Sequence, residues 1–132
     1  MNNWVPYKQK ILTMEGFELV SLHQGYDGLQ IIFDNTYEYV KYGFDSFLFY
    51  SSSDESDRWR TISTVLANYG KDFFKSSIAF EIENSSLIEW FNKESFNKYD
   101  GWDIHHFSFV GMNDIVDVLS LTEPEIEVGA VR

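Results

Sequence analysis

The residues best suited to chemistry in this sequence are its acids, its histidines and a short loop that combines acids with aromatic rings. Carboxylates recur in close pairs, at Asp54/Glu55/Asp57, Glu81/Glu83, Asp100/Asp103 and Glu123/Glu125. Two acids on facing walls of a cleft are the equipment of glycoside hydrolysis. With 21 acidic residues such pairs also arise by chance, and Glu81 and Glu83 fall on the solvent side of an expected strand. His105 and His106 are adjacent, and neighbouring strand residues point to opposite faces, so one metal ion would not collect both without remote help from His23, Asp103 or another acid. Neither a His-x-His pair nor a helical His-x-x-x-His is present, and no metal or other cofactor is expected. Nucleophilic hydrolysis has no Gly-x-Ser-x-Gly signature and no cysteine to use. Gly25-Tyr26-Asp27-Gly28 precedes a strand rather than a helix and lacks the Gly-Lys-Ser/Thr continuation of a phosphate loop, so it reads as a hairpin turn. The catalytic set is therefore empty, and a non-enzymatic protein is expected.

The loop Tyr99-Asp100-Gly101-Trp102-Asp103 is the more informative constellation. Aromatic anchors supply contact area, and carboxylates beside them pair with Arg or Lys on a basic partner and speed its approach. Asp100, Trp102 and Asp103 are thus the candidate partner-binding residues. The alternative is a Trp tucked under the loop as a lid on the core, with the acids simply solvated. The strip Tyr37, Tyr39 and Tyr42 reads as sheet packing.

The elements that must position this loop follow from periodicity. Residues 17–23, 29–34, 37–42 and 47–50 alternate as strands; Leu29, Ile31 and Phe33 share one face, and turns at 25–28 and 34–36 make an antiparallel meander. From Asp54 the period changes. Trp59, Ile62, Leu66 and Tyr69 recur at intervals of three and four, giving a helix from about 54 to 69, with Ser52 and Glu55 at capping-box spacing and Gly70 as its stop. Residues 77–83 form another strand, with Ile78, Phe80 and Ile82 inward. Ser86 and Glu89 repeat the capping-box spacing before a shorter helix to about residue 95. After the loop at 97–103, residues 104–110 and 115–120 form a hairpin about Gly111-Met112-Asn113-Asp114. The expectation is a single α+β domain over residues 1–132, built on a mainly antiparallel sheet of about six or seven strands with two helices packed on one face. Crossovers around the helices leave room for one parallel pair. The extreme amino terminus and the residues after about 122 are expected to be irregular.

Composition bounds the function. A chain of 132 residues can bury a core without staples, and the absence of cysteine favours a reducing, cytoplasmic home over an oxidising one. No apolar run approaches a membrane span, and the opening Met-Asn-Asn-Trp-Val-Pro-Tyr-Lys lacks a basic segment followed by an apolar one, so a soluble protein is expected. Aromatic residues form 18% of the chain, with 12 Phe, 8 Tyr and 4 Trp, more than a core of this size readily hides, so some should reach the surface. The net charge of -11 opposes direct nucleic-acid and anionic-membrane binding and complements a basic protein. Residues 81–127 hold eleven acids against Lys93 and Lys98, a net charge of -9, whereas residues 1–80 hold ten acids and seven bases, or -3. An acidic recognition face should come from the second half. Charge serving solubility alone is the plainer alternative, and the oligomeric state is open.

With these residues in view, the chain resembles the small immunity proteins that bacteria make against polymorphic or contact-dependent toxins. The resemblance rests on size, acidity, absence of cysteine, the aromatic-rich α+β pattern and the closing stretch His-His-Phe-Ser-Phe-Val-Gly-Met-Asn-Asp-Ile-Val-Asp-Val-Leu-Ser-Leu-Thr-Glu-Pro-Glu-Ile at 105–126. It implies a cytoplasmic protein that binds a toxin domain and blocks its active site or substrate groove. Such proteins share no catalytic motif, so no residue role carries over by position. The acidic opening with a Leu-Pro step before Tyr that marks SUKH-type immunity proteins is not found. Two alternatives stand beside this expectation: an acidic nucleic-acid mimic that occupies a DNA- or RNA-binding protein, and a small carbohydrate-binding or hydrolytic domain.

Overall fold

The structure, a computed structural model, describes residues 2–8, 16–75 and 77–131. Among these the fold is α+β, with nine strands and two α-helices. The strands are β1 (Asn3–Pro6), β2 (Glu18–Gly25), β3 (Gly28–Asp34), β4 (Glu38–Phe44), β5 (Phe49–Asp54), β6 (Ala79–Glu83), β7 (His105–Val110), β8 (Asp114–Ser120) and β9 (Glu125–Ala130). The helices are α1 (Trp59–Tyr69) and α2 (Ser86–Glu94). The strands form two sheets rather than one, ordered β1-β6-β7-β8-β5 and β2-β3-β4-β9. Every pairing is antiparallel, so the parallel pair left open by the sequence is not formed.

The meander is legible in its turns. In the β2–β3 hairpin Gly25 pairs with Gly28 across Tyr26 and Asp27. Gly28 takes φ +94, and a Cβ there would run into the Phe44 carbonyl oxygen, so both conformation and space require glycine. At the next turn the Asn35 side-chain oxygen accepts the backbone N–H groups of Tyr37 and Glu38, holding β3 against β4. Alternation then turns Leu29, Ile31, Phe33, Val40, Tyr42 and Phe44 toward the facing sheet. Phe107, Phe109, Val116 and Val118 meet them from β7 and β8, with Tyr42 and Phe109 ring centroids 4.5 Å apart. Each fully buried aromatic ring of this kind contributes about 2–3 kcal/mol.

The opposite face of the five-stranded sheet carries both helices. Ile62 and Val65 of α1 pack with Trp4, Phe80, Ile82, Val110 and Ile115, and α2 brings Trp90 and Phe91 against Phe49 of β5. β7 and β8 therefore lie between two layers. Their runs at 107–110 and 115–119 are buried throughout because neither face meets water.

The structure departs from the sequence reading at both ends and at both helix starts. β1 pairs with β6 and ends at Pro6, a residue tolerated where an edge strand stops; β9 pairs with β4, its Ile126 packed against the inter-sheet core. Residues 3–6 and 125–130, expected to be irregular, are thus strands, while 121–124 are irregular. β5 continues through Asp54, where the helix was expected to begin. Asp54, not Ser52, caps the next turn, accepting the Ser56 N–H at 2.9 Å, and a single 3-10 turn over Glu55–Arg58 leads into α1. In α2 the cap is Ser85, which accepts the Ile88 N–H at 3.1 Å, while the Ser86 N–H goes to the Asn2 side chain. Of the tyrosine strip only Tyr42 is buried; Tyr39 lies on the outer sheet face and donates to Glu127, and Tyr37 is exposed.

Candidate functional site

The loop at 99–103 hangs from α2. Tyr99 stacks on Phe91 with ring centroids 5.7 Å apart, and Trp102 sets its edge against Tyr99 at 6.3 Å. Tyr99, not Trp102, therefore does the anchoring. Trp102 remains 61% exposed, so it is not a lid on the core. The same stretch exposes Trp90 by 44% and Phe96 by 94%, the latter with φ +53 just beyond the end of α2. Asp100 is exposed beside these rings, and Asp103 reaches back to His105, with Oδ2 3.4 Å from Nε2. Residues 89–103 also bear Glu89 and Glu94. Their two lysines are engaged within the chain: Lys93 pairs with Glu89 at 3.7 Å, and the Lys98 ammonium sits 5.4 Å from the Tyr99 ring centre.

His105 and His106 do point apart, as strand geometry requires. His105 Nδ1 lies 2.9 Å from Glu81 Oε2, which ties β7 to β6 on the inter-sheet side of the strand. Among the described residues no group of three or more His, Asp or Glu side chains is arranged to hold a metal. The paired acids Glu81 and Glu83 are also occupied, Glu83 accepting from the Asn3 amide at 2.8 Å. An acidic hollow of about 570 Å³ on the four-stranded sheet gathers Asp27, Asp45, Glu125 and Glu127 around Lys41. There the hydrogen bond from Tyr39 and the charge of Lys41 hold the Glu127 carboxyl below its usual range.

The helix-bearing face contains an arrangement that the sequence reading missed. Asp117 stands on β8 among apolar neighbours and is almost fully buried. Its Oδ2 accepts from Arg58 Nη1 at 2.9 Å, and its Oδ1 lies 2.8 Å from His106 Nε2. The other ring nitrogen, Nδ1, is 2.7 Å from Ser85 Oγ. Burial alone would push the Asp117 carboxyl up; the hydrogen bonds and charges of His106 and Arg58 outweigh it and hold the carboxyl below the usual range. With the carboxylate ionised, Nε2 carries the hydrogen, and a neutral ring then accepts the Ser85 hydroxyl at Nδ1. The chain Arg58, Asp117, His106, Ser85 thus links the turn before α1, two central strands and the cap of α2. His106, Asp117 and Arg58 line a cleft of about 340 Å³ with Trp4, Thr61 and Trp90; Ser85 lines a neighbouring hollow with Asn84, Ile88, Glu89 and Asn92. One signal was available in the sequence: a lone acid inside Ile115-Val116-Asp117-Val118-Leu119 has to find a buried partner.

No protein-family model matches the chain, and comparison with curated proteins and with solved structures finds no match either.

Proposed function

We propose that the protein works by binding a basic protein through the face built from α2 and the loop that follows it, and that it neutralises that partner in the manner of an immunity protein against a bacterial toxin domain. The observation that carries this reading is the exposure of Trp90, Phe96 and Trp102 within fifteen residues that also hold Glu89, Glu94, Asp100 and Asp103. Three large rings in water are unfavourable for an isolated protein, and aromatic anchors are what interface centres concentrate. Trp102 sets its edge against Tyr99, which in turn stacks on Phe91, so the exposed ring is backed by a second aromatic layer. Excess negative charge, -11 over the chain, directs the choice of partner toward Lys- and Arg-rich surfaces, and a toxin acting on nucleic acid has such a surface. No helix among the described residues is long and apolar enough to cross a membrane.

The test is affinity purification of the tagged protein from its native host in low and in high salt, in parallel with a Trp102→Ala, Asp100→Lys, Asp103→Lys variant. The reading expects one basic protein in stoichiometric amount, retained in high salt by the wild type and lost by the variant, and toxic to cells when expressed without its inhibitor. Equal recovery by both forms would remove this face from the interface. A captured DNA- or RNA-binding protein without toxicity would favour the nucleic-acid mimic.

A further inference from the structure

Ser85 sits where β6 turns into α2. Asn84, immediately before it, takes φ +52, a left-handed conformation that costs energy outside glycine and bends the chain sharply. The bend places the Ser85 hydroxyl at the positive end of α2 and against His106 Nδ1 at 2.7 Å, while His106 Nε2 is fixed by Asp117 Oδ1 at 2.8 Å. A hydroxyl, an imidazole and a buried carboxylate in hydrogen-bonded sequence is the arrangement that activates a serine, whichever ring nitrogen serves as the base. Here the nitrogens are used in the reverse of the commonest order. Arg58 binds the second carboxylate oxygen, leaving Oδ1 to orient the ring. Ser85 is 8% exposed and lines a shallow hollow of about 560 Å³ that opens to solvent.

We propose that Ser85 is an activated nucleophile toward small neutral or cationic acyl esters, with His106 as its general base and Asp117 as the positioning residue. This inference does not depend on the partner-binding reading. As Ser85 Oγ bonds to the carbonyl carbon its proton passes to His106 Nδ1. Collapse breaks the bond to the alcohol oxygen, which leaves with that proton. Water then adds to the acyl carbon by the same path, releasing the carboxylic acid and restoring Ser85. Glu89 in the hollow and the net charge of -11 disfavour anionic esters.

The experiment treats the full chain with an alkyl fluorophosphonate, in which a serine oxygen displaces fluoride from phosphorus, and locates the adduct by peptide mass spectrometry. The expected result is one adduct, on Ser85, forming about 100-fold or more slowly in His106→Gln. Ser86→Ala should label like the wild type. Hydrolysis of 4-nitrophenyl acetate above background should stop when labelling is complete. Ser85→Ala also loses a helix cap, so His106→Gln, whose amide can still bridge Ser85 and Asp117, carries the decision, with folding checked by circular dichroism. A folded wild type that gains no adduct on Ser85, or labels there as fast in His106→Gln, would overturn the proposal, because a purely structural hydrogen bond predicts either outcome.

Discussion

The β7–β8 hairpin has two faces built on opposite principles. Toward the other sheet it presents Phe107, Phe109, Val116 and Val118, closed by aromatic packing against Tyr42 and Phe44, with polar side chains such as His105 and Ser120 at the ends of the two strands. Toward the helices it presents His106, Ser108 and Asp117 beside Val110, Ile115 and Leu119, all buried. The first face is held by area removed from water, which is tolerant of direction. The second is held partly by hydrogen bonds whose loss leaves a charge stranded. One hairpin therefore combines a non-specific source of stability with a directional one.

Truncation should separate the two faces by size and by pH. Phe109→Ala opens the inter-sheet core where nothing can collapse into the gap, and should lower unfolding free energy by about 3–5 kcal/mol in urea titration at neutral pH. Asp117→Ala removes the acceptor shared by His106 and Arg58. Because the Arg58 side chain is 30% exposed and can turn to water, the loss should be smaller, about 2–3 kcal/mol. A loss in Asp117→Ala equal to that of a conservative core truncation would mean the polar chain contributes nothing directional.

The pH dependence sharpens the same contrast. The folded Asp117 carboxyl titrates below its unfolded value, so its stabilisation is complete above the ordinary carboxyl range and disappears as pH falls through the folded value. Asp117→Asn should therefore flatten the loss of stability between pH ~7 and ~3, while Phe109→Ala, which changes no proton binding, should lower the curve without changing its slope. Ser85→Ala should cost about 1 kcal/mol through the lost cap of α2. Exposed positions come last: Trp102→Ala should change stability by no more than about 0.5 kcal/mol, since its ring rests only edge-on against Tyr99. A larger cost would place Trp102 in the core after all.

Where period alone determines an element, the sequence is legible. β3 shows Leu29, Ile31 and Phe33, and the period of Trp59, Ile62, Leu66 and Tyr69 marks α1, although of these four only Ile62 is buried, Val65 joins it, and Trp59 and Tyr69 are exposed. Alternation states which side of a strand is apolar but not which partner covers it, so the division into two sheets was not visible. β9 pairs with β4 across most of the chain, and its outward Glu125 and Glu127 make residues 125–130 look like a solvated tail. At the loop of residues 99–103 residue type left two readings open, and the exposure of Trp102 removes the one in which it is a lid on the core. The Ser85, His106, Asp117 and Arg58 chain joins residues up to 59 positions apart, and no local spacing encodes it.

The central claim is that the face carrying Trp102, Asp100 and Asp103 meets a basic partner. The most direct test is the association rate of the purified partner with the wild type and with Asp100→Lys, Asp103→Lys across a series of salt concentrations. If the account holds, the variant associates more slowly and its rate depends less steeply on salt, since steering by these carboxylates is removed. Identical rates and identical salt slopes would contradict it.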